Sequence, residues 1–386
     1  MANLKVNTVS GIGTEGPVLD GGLHFRSKNY LTLPKGTTAE RTATSSGIST
    51  EIGSIRYNTD SNKMECYIGD KWMIVATSSP NLGDTQSPVG TRGAFMGGFR
   101  DTPVTNTTFD TIDYITIPTA GNAIDFGDLN AKLFDGASNL ASRTRQFAMM
   151  GRQGPSFSYS NEIKFITYSS TGDSTDFGDS TSTLGYRPSG LSNSTRAIRA
   201  GGSNNPSVGG VNVIDFFTMA STGNAVDFGD TTLAKLRYGT GIASPTRGII
   251  MWGENHPANV NTMEFVTIAT TGNSVDFGDM SSNASTGAAG NATRGLVVTG
   301  SSPIESLQMA TLGNTIKFGE LSVSRGSTGA CSNPTRVVFA GGVDYPAYYN
   351  IIDYVSIQTD GNAVDFGDLT VNRHTDNSGS NAHGGL

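Results

Sequence analysis

The acidic residues best suited to chemistry in this sequence recur in one motif, Asp-Phe-Gly-Asp. Its copies start at Asp125, Asp176, Asp227, Asp276 and Asp365. Asp-Phe-Gly also binds Mg²⁺ in protein kinases, but no Gly-rich loop, strand lysine or catalytic-loop motif accompanies it here. Paired carboxylates suit Ca²⁺, which takes about six to eight oxygen ligands, and no calcium-loop pattern supplies the others. The motif therefore predicts a structural role, and we expect no metal and no cofactor.

Other groups that could act in catalysis are dispersed along the chain. The histidines are His24, His256, His374 and His383. A cofactor-free hydrolase needs a nucleophile beside a base, or two carboxylates that face one cleft. Acids at equivalent positions of a repeat do not converge in this way. We therefore expect a protein that is not an enzyme. We also expect Cys66 and Cys331 to be free thiols, with a disulfide as the alternative.

The fifth repeat separates the roles of the two acids, because its motif reads Lys317-Phe318-Gly319-Glu320. A base replaces the first acid, which favours a solvent-facing position, while the second residue stays acidic. We expect each second acid to pair with the arginine of a recurring Thr-Arg dipeptide, or to cap a turn. The second acids are Asp128, Asp179, Asp230, Asp279, Glu320 and Asp368. The arginines are Arg92, Arg145, Arg196, Arg247, Arg294 and Arg336.

These residues belong to a unit of roughly fifty residues that recurs along the chain. Each unit ends with two runs of β-branched and aromatic residues joined by a Gly-containing turn, the pattern of a β-hairpin. The hairpins span residues 112–129, 163–180, 214–231, 263–280, 303–321 and 350–369. A short apolar run follows each Thr-Arg, and a Gly-containing run precedes the internal ones. Each unit thus predicts four short strands, with the phenylalanine of the motif packed between neighbouring sheets.

Four antiparallel strands per unit predict an all-β protein with a six-bladed propeller over residues 91–386. The chain enters this region at a Thr-Arg strand, so the first blade lacks its Gly-containing strand. Residues 370–381, after the last hairpin, contain such a run, Ser378-Gly379-Ser380-Asn381. We expect this C-terminal segment to pair beside the strand that follows Thr91 and to close the ring.

The composition agrees with an all-β protein and argues against several partners. The chain has 50 glycines among 386 residues and only 15% charged residues, which is unusual for a helical protein. The net charge of −7, without any Lys/Arg run, argues against nucleic acid as a partner. No apolar run reaches the length of a membrane span, and the N-terminus lacks a signal-peptide pattern. We therefore expect synthesis in a cytoplasm and no membrane insertion.

Residues 1–80 do not match the repeat, and residues 81–90 have the composition of a linker. Residues 53–75 predict a three-stranded β-meander. A meander of this size has too small a core to be stable alone. We expect residues 1–80 to be a small β-rich attachment or oligomerisation domain. A flap packed on the propeller is the alternative.

Two patterns resemble known proteins. The meander, Gly53-x-Ile55-Arg56-Tyr57-Asn58-Thr59-Asp60 followed by Glu65-x-Tyr67-x-Gly69 and Trp72, resembles a short module of bacteriophage tail-fibre and other structural proteins, particularly those of marine cyanophages. The strand order resembles kelch-type propellers, and the consensus Thr-Arg…Gly-Gly…Ile-Asp-Tyr…Gly-Asn-Ala-x-Asp-Phe-Gly-Asp-Leu is similar to repeats in cyanophage structural proteins. The sialidase Asp-box and the Tyr/His/Cys set of a copper oxidase are absent from the sequence. The resemblance implies a virion protein, assembled in the host cytoplasm, whose residues 1–80 bind other virion proteins or further copies of the chain.

The connection between the second and third strands of each unit varies most in length, and such variable loops usually carry binding residues. In two of these connections, Tyr and Trp residues that break the repeat pattern are the better candidates for recognition, because aromatic rings flanked by polar groups suit sugar rings or protein surfaces. The candidate binding residues are Trp252, His256, Tyr345, Tyr348 and Tyr349. Their alternative role is simply to cover the propeller face.

The function that we expect is that of a tail-fibre-like adhesin that recognises a glycan or protein on the host surface. One alternative is a head or tail decoration protein that stabilises the particle. A glycan-processing enzyme is the third and least favoured alternative.

Overall fold

The computed structural model describes residues 33–41, 52–61, 63–74, 92–101, 106–154, 156–183, 185–203, 210–233, 236–375 and 377–386. These residues form β-strands and a single 3-10 turn at Ala39–Arg41, with no α-helix among them. The prediction of an all-β protein is therefore confirmed. The chain divides into two compact units, Met1–Pro80 and Asn81–Leu386. The predicted linker, residues 81–90, lies outside the described residues.

The first unit contains one sheet. Its strands, in spatial order, are Lys35–Gly36, Ile55–Asn58, Lys63–Ile68 and Lys71–Ile74. The last three are the predicted antiparallel meander. The first strand pairs with Ile55–Asn58 in parallel and was not expected.

The two faces of this small sheet differ in an unusual way. One face buries the carboxylate of Glu65, which accepts hydrogen bonds from Arg41 Nε at 3.0 Å and from Asn58 Nδ2 at 2.7 Å. The other face carries Ile55 and Met73, which are 46% and 52% exposed. The meander therefore buries its polar side and presents an apolar side.

The second unit contains six four-stranded antiparallel sheets among its described residues, numbered here by the chain order of their second strands. Sheet 1 consists of Asn377–Ser380, Arg92–Asp101, Asn106–Thr116 and Ile124–Asp128. Sheet 2 consists of Leu133–Phe134, Arg145–Gln153, Ser158–Thr167 and Thr175–Asp179. Sheet 3 consists of Ser189–Ser192, Arg196–Ala200, Val213–Thr218 and Val226–Asp230. Sheet 4 consists of Thr240–Ala243, Arg247–Met251, Thr262–Thr267 and Val275–Asp279. Sheet 5 consists of Ala284–Gly290, Arg294–Thr299, Pro303–Gln308 and Ile316–Glu320. Sheet 6 consists of Gly329–Ser332, Arg336–Ala340, Ile351–Ser356 and Val364–Asp368.

Short strands occupy two of the variable connections. Glu254–Asn255 and Ala258–Asn259 form a hairpin after the second strand of sheet 4, to which Leu236–Arg237 adds a third strand. Val343–Asp344 and Ala347–Tyr348 form the corresponding hairpin in sheet 6.

The strand Asn377–Ser380 pairs antiparallel with Arg92–Asp101, so sheet 1 is built from both ends of the repeat region. The predicted position of this C-terminal strand agrees with that pairing. Sheet 2 is irregular at the same place. Its residues 137–141 form no continuous strand and pair with the second strand at the isolated bridges Ala137–Met149 and Ala141–Gln146.

The motif phenylalanine is the extra residue of a β-bulge between the third and fourth strands. In sheet 1, Ile112 pairs with Gly127 and Asp113 with Asp125, which leaves Phe126 unpaired. The bulge turns that ring inward, where it is only 2% exposed. The same register shift occurs in each of the six sheets.

The glycine of the motif permits close contact between sheets. Gly229 has a φ of +148°, and a Cβ there would lie 2.5 Å from the carbonyl oxygen of Gly272 in the next sheet. The hairpin-turn glycine of the next sheet donates its N–H to the motif phenylalanine carbonyl at 2.7–3.0 Å. The donor glycines are Gly172, Gly223, Gly272, Gly313, Gly361 and Gly121. The last of these bonds, from Gly121 to Phe366, links sheet 6 to sheet 1.

The apolar core lies between successive sheets. Six clusters of buried side chains each combine residues of two neighbouring sheets. One of them places Phe95 and Ile115 of sheet 1 against Val338 and Phe366 of sheet 6. Because each sheet is covered on both faces, burying a phenylalanine there stabilises the unit by about 1.5–3 kcal/mol.

Candidate functional site

The arginine of each Thr-Arg dipeptide does not bind the second acid of the motif, so the predicted ion pair is wrong. The guanidinium of Arg247 lies 4.6 Å from the ring centroid of Phe265. It also donates to the carbonyls of Met309 and Ala310 in the next sheet, at 3.1 and 2.9 Å. A planar guanidinium can stack on a ring and still donate at its edge, which explains why these backbone acceptors suffice.

The other five arginines repeat this arrangement. Their guanidinium carbons lie 4.6–5.0 Å from the centroid of an aromatic ring in their own sheet. Each donates to a carbonyl in the hairpin of the next sheet. The acceptors are Tyr168, Met219, Ile268, Ile357 and Ile117. The series ends with Arg336 of sheet 6, whose acceptors, Ile117 and Pro118, follow the third strand of sheet 1.

The second acids of the motif act through their backbone. The N–H of Asp128 donates to Asp173 Oδ1 at 3.0 Å, and the other aspartates repeat this bond. Their acceptors are Asn224, Asn273, Asn314 and Asn122. Desolvation and the neighbouring carboxylates of Asp110 and Asp125 raise the pKa of Asp128, an exposed residue, which is the reverse of the effect of an arginine partner. The first acids are exposed, as predicted.

A different acid, unrecognised in the sequence, is buried in the third strand. The residues at this position are Asp113, Asp215, Glu264, Glu305 and Asp353, each at most 3% exposed. Each accepts a hydrogen bond from a Ser or Thr hydroxyl of the preceding sheet. That Ser or Thr lies two residues after the second acid of the motif. The donors are Thr370, Thr181, Thr232, Ser281 and Ser322.

Three of these buried acids also pair with a fully buried arginine. Arg373 lies 3.1 Å from Asp113, and Arg325 lies 3.0 Å from Asp353. Arg199 Nε donates to Asp215 at 3.0 Å. Where no arginine is present, hydroxyls take its place. Burial opposes ionisation of Glu305, but hydrogen bonds from Ser281 and other hydroxyls outweigh it and lower the pKa of that carboxyl.

Sheet 2 departs from this pattern at both partners. Lys164 replaces the acid and is only 3% exposed. Its ammonium lies 3.0 Å from Glu162. The residue of sheet 1 that would donate a hydroxyl is Asn130, whose backbone N–H donates to Ser174 Oγ at 3.0 Å. The acid and its hydroxyl donor are thus replaced together.

The structure places the predicted binding residues in different environments. Trp252 is 0% exposed, so its predicted role in recognition at the surface is wrong. It packs in the core between sheets 3 and 4, where a Cβ on Gly239 would lie 2.6 Å from its ring. His256 is half-buried and bonds to Glu254, with its Nδ1 2.8 Å from Oε1.

The three tyrosines lie in or next to the short hairpin of sheet 6. Tyr345, in its turn, is 71% exposed. Tyr348 is half-buried, and its ring centroid lies 6.4 Å from that of His374. Tyr349 is half-buried, and its carbonyl accepts a hydrogen bond from the N–H of Arg373 at 3.2 Å. The contact of Tyr348 with His374 connects this hairpin to a polar cluster.

We call this polar group the Arg187 cluster. Its members are Asp135, Arg152, Arg187, Ser327 and His374. Asp135 and Arg152 come from sheet 2, whereas Arg187, Ser327 and His374 lie just before the first strands of sheets 3, 6 and 1. Arg187 donates from Nε to Asp135 Oδ1 at 2.8 Å and from Nη1 to Ser327 Oγ at 2.9 Å. Its Nη2 lies 3.0 Å from His374 Nδ1, which accepts a hydrogen bond when Nδ1 carries no proton. One guanidinium thus joins four sheets.

Asp135 is the acid at the centre of the Arg187 cluster. Arg152 donates to its Oδ2 from Nε at 2.7 Å and from Nη2. Burial opposes ionisation of this carboxyl, but the charges of Arg187 and Arg152 outweigh it, and the pKa of Asp135 is lowered. Asp135 is therefore a carboxylate that holds two cations.

Aromatic rings surround Arg152. Its guanidinium carbon lies 4.4 Å from the centroid of Phe134, 4.6 Å from that of Tyr186 and 5.8 Å from that of Phe157. The hydroxyl of Tyr238 donates to that of Tyr186 at 3.1 Å. The rings of Tyr186, Tyr238 and Phe157 are half-buried, so part of each faces solvent.

A cavity of about 380 Å³ lies at the opposite ends of the first strands. Arg143, Thr293 and the C-terminal residues His383 and Leu386 contribute to its lining. The ring of His383 packs inward, with Nε2 2.8 Å from the carbonyl oxygen of Ala141. Burial lowers the pKa of His383 to about 4.

Within the described ranges, no three His, Cys, Asp or Glu side chains are grouped so that they could hold a metal ion. None of the described residues belongs to a helix that is long and apolar enough to span a bilayer. Cys66 and Cys331 are free, as predicted.

The chain matches no protein-family model, and no curated protein is significantly similar to it. The Arg187 cluster was missed in the sequence because its residues do not recur. One signal was present. A Gly-Gly pair lies within the second strand of sheet 1 and directly after the second strands of sheets 3 and 6, and in sheet 2 the corresponding pair is Gly151-Arg152.

Proposed function

We propose that the second unit is a six-bladed, kelch-like β-propeller and that the protein is a non-enzymatic bacteriophage virion component, a tail-fibre-like adhesin of the cyanophage type. Support for the ring comes from the contacts between sheets. Each type of contact runs from one sheet to the next and also joins sheet 6 to sheet 1. A ring of this kind has no exposed terminal sheet.

The observation that carries the adhesin function is the separation of repeated from unrepeated polar residues. The recurring acids, arginines and glycines are engaged between sheets. The Arg187 cluster does not recur, and through Tyr348 it contacts the hairpin of a variable connection. Surfaces built from rigid aromatic rings and arginine are typical of recognition sites. The ligand would be a glycan or protein of the host surface.

The first unit would attach the protein to the particle. Its exposed apolar face, with Ile55, Ile68 and Met73, supports contact with another protein chain, because exposed contiguous apolar surface marks interaction sites. The partner would be another virion protein or a second copy of this chain. The protein would be assembled into the virion in the host cytoplasm.

The test is a binding experiment with the purified full chain. It should bind host cells, compete with phage adsorption and leave cell-surface glycans chemically intact. An electron cryo-microscopy map of the virion should place the chain where its second unit faces outward. A protein that neither binds cells nor blocks adsorption, and lies flat on the capsid, would be a decoration protein instead. Release of saccharide from the host surface would identify an enzyme.

A further inference from the structure

We propose that the Arg187 cluster and its aromatic rim bind acidic saccharides, with the guanidinium of Arg152 taking the anionic group. This inference rests on the adhesin function proposed above and specifies the chemistry of its ligand. The shared chemistry is a sugar that carries a carboxylate, sulfate or phosphate group.

The first argument is the orientation of Arg152. Its Nε and Nη2 atoms are bonded to Asp135, whereas Nη1 forms no hydrogen bond with any residue in the described ranges. The side chain is 24% exposed. Because Phe134 and Tyr186 hold the guanidinium in place, Nη1 presents its N–H groups in a fixed direction. A preorganised donor loses little entropy when it binds an oxyanion.

The second argument is charge. Arg152, which is not in the core, brings a half-buried guanidinium to this place on a chain with a net charge of −7. A cationic group on a negative protein attracts anions and disfavours cations at that place. A neutral sugar could not form an ion pair with this charge.

The third argument is the rim. Tyr186 and Phe157 pack beside the guanidinium of Arg152, Tyr238 packs against Tyr186, and the half-buried tyrosines add hydroxyl groups. A sugar ring has apolar faces and polar edges, which match this combination of stacking surface and hydroxyls. A small inorganic anion would contact the guanidinium alone.

The fourth argument is backbone conformation. Among the described residues, left-handed non-glycine backbone is concentrated here. The residues are Asp135, Phe157, Tyr186, Arg187, Tyr238 and Ser327, with φ between 55° and 62°. Outside this group the described chain has one further example, Asn139. Such backbone is strained in residues other than glycine, and strain of this kind collects at ligand sites.

The experiment is calorimetric titration of the full chain with four matched oligosaccharides: a uronate, a sulfated, a phosphorylated and a neutral one. At least one acidic ligand should bind, and the neutral one should bind about tenfold more weakly or not at all. Higher salt should weaken binding of the acidic ligand. Comparison of the three acidic probes identifies the anionic group.

Loss of Arg152 alone would leave Asp135 with one cation fewer, so the test variant is the double substitution Arg152→Gln, Asp135→Asn. We expect it to lose about tenfold or more in affinity. A second variant, Phe157→Ser, removes a rim ring without changing charge and should weaken binding less. The matched control is Arg143→Gln, an arginine at the other ends of the first strands, which should bind as the wild type does. Thermal denaturation of each variant establishes that it is folded.

Equal binding of neutral and acidic sugars, or full affinity in the double variant, would overturn the inference. The inference would also be overturned if the wild-type chain bound host cells but none of the acidic probes, because the protein would then recognise another ligand. A chain that binds neither probes nor cells would overturn the proposed function as well. Unchanged affinity in Phe157→Ser alongside a loss in the double variant would remove the rim from the site.

Discussion

The same side-chain types serve different purposes in the contacts between sheets and in the Arg187 cluster. Between sheets, an acid, an arginine and a hydroxyl recur at equivalent positions, and each bonds to the adjacent sheet. In the Arg187 cluster, one acid, two arginines, a serine and a histidine of the described residues come together once, from four sheets. The difference teaches that recurrence marks polar residues that stabilise the fold, whereas single convergence marks the place where we propose that a ligand binds.

The largest effect should come from a buried acid between sheets. Asp215→Ala leaves Arg199 buried without its partner, which costs roughly 3–5 kcal/mol of unfolding free energy. The exposed Asp227 of the same sheet is the control, and Asp227→Ala should change stability by less than about 0.5 kcal/mol. Urea denaturation measures both. Equal stability of the two variants would contradict the assignment of the buried acids.

The next effect concerns the glycine of the motif. A Cβ on Gly319 would lie 2.0 Å from the carbonyl oxygen of Gly361, so Gly319→Ala should cost about 2–3 kcal/mol by forcing two sheets apart. Gly361 itself has open space around its Cβ position. Gly361→Ala is thus a matched control in the same contact. If both variants melt at the wild-type temperature, the sheets are not packed as closely as described.

Arg247→Ala should have a moderate effect. It removes a stacking contact with Phe265 and two bonds to carbonyls, for a loss of about 1–2 kcal/mol. Binding of the ligand should not change. A double-mutant cycle with Asp279 checks the partner, because the two side chains should show no coupling beyond about 0.3–0.5 kcal/mol. Strong coupling would restore the ion pair that the structure rejects.

The smallest effect is a pH dependence from the Arg187 cluster. The folded protein holds the pKa of Asp135 below the ordinary value of about 3.9. Its contribution to stability is therefore present above that value and is lost as the pH falls through the folded pKa. Stability measured between neutral pH and pH 2 should fall less steeply in Asp135→Asn than in the wild type. Parallel curves would show that Asp135 is not held by the two arginines.

Much of the fold could be predicted from the sequence because it depends on local pattern. Strand period, hairpin turns and the recurrence of Phe126 and its equivalents place the strands and the buried rings. The partner that all six Thr-Arg arginines share could not be predicted, because it is a backbone carbonyl and leaves no trace in residue type; among the described residues, Arg294 alone of the six adds an ion pair, with Asp360. The buried acids could have been found, since Ile-Asp-Tyr recurs together with a hydroxyl two residues after the motif.

The candidate site was harder to predict for physical reasons. Trp252 appeared to be a surface residue, but the neighbouring Gly239 leaves a space that the indole fills. Asp135 and His374 are far apart in the chain, and their meeting depends on how the sheets are arranged. The left-handed backbone of Arg187 has no sequence signal comparable to glycine. Of the predicted binding residues, the structure brings Tyr348 to the Arg187 cluster.

The joint replacement of an acid and its hydroxyl donor by Lys164 and Asn130 gives the repeat region a fixed starting point. If a repeat were inserted between sheets 1 and 2, or if one of these two sheets were deleted, an acid would face Asn130 or the lysine would face a hydroxyl donor. Sheets 1 and 2 are consequently not interchangeable with the other repeats, although their sequences are alike. A change in the number of repeats would be penalised where it separated these two sheets.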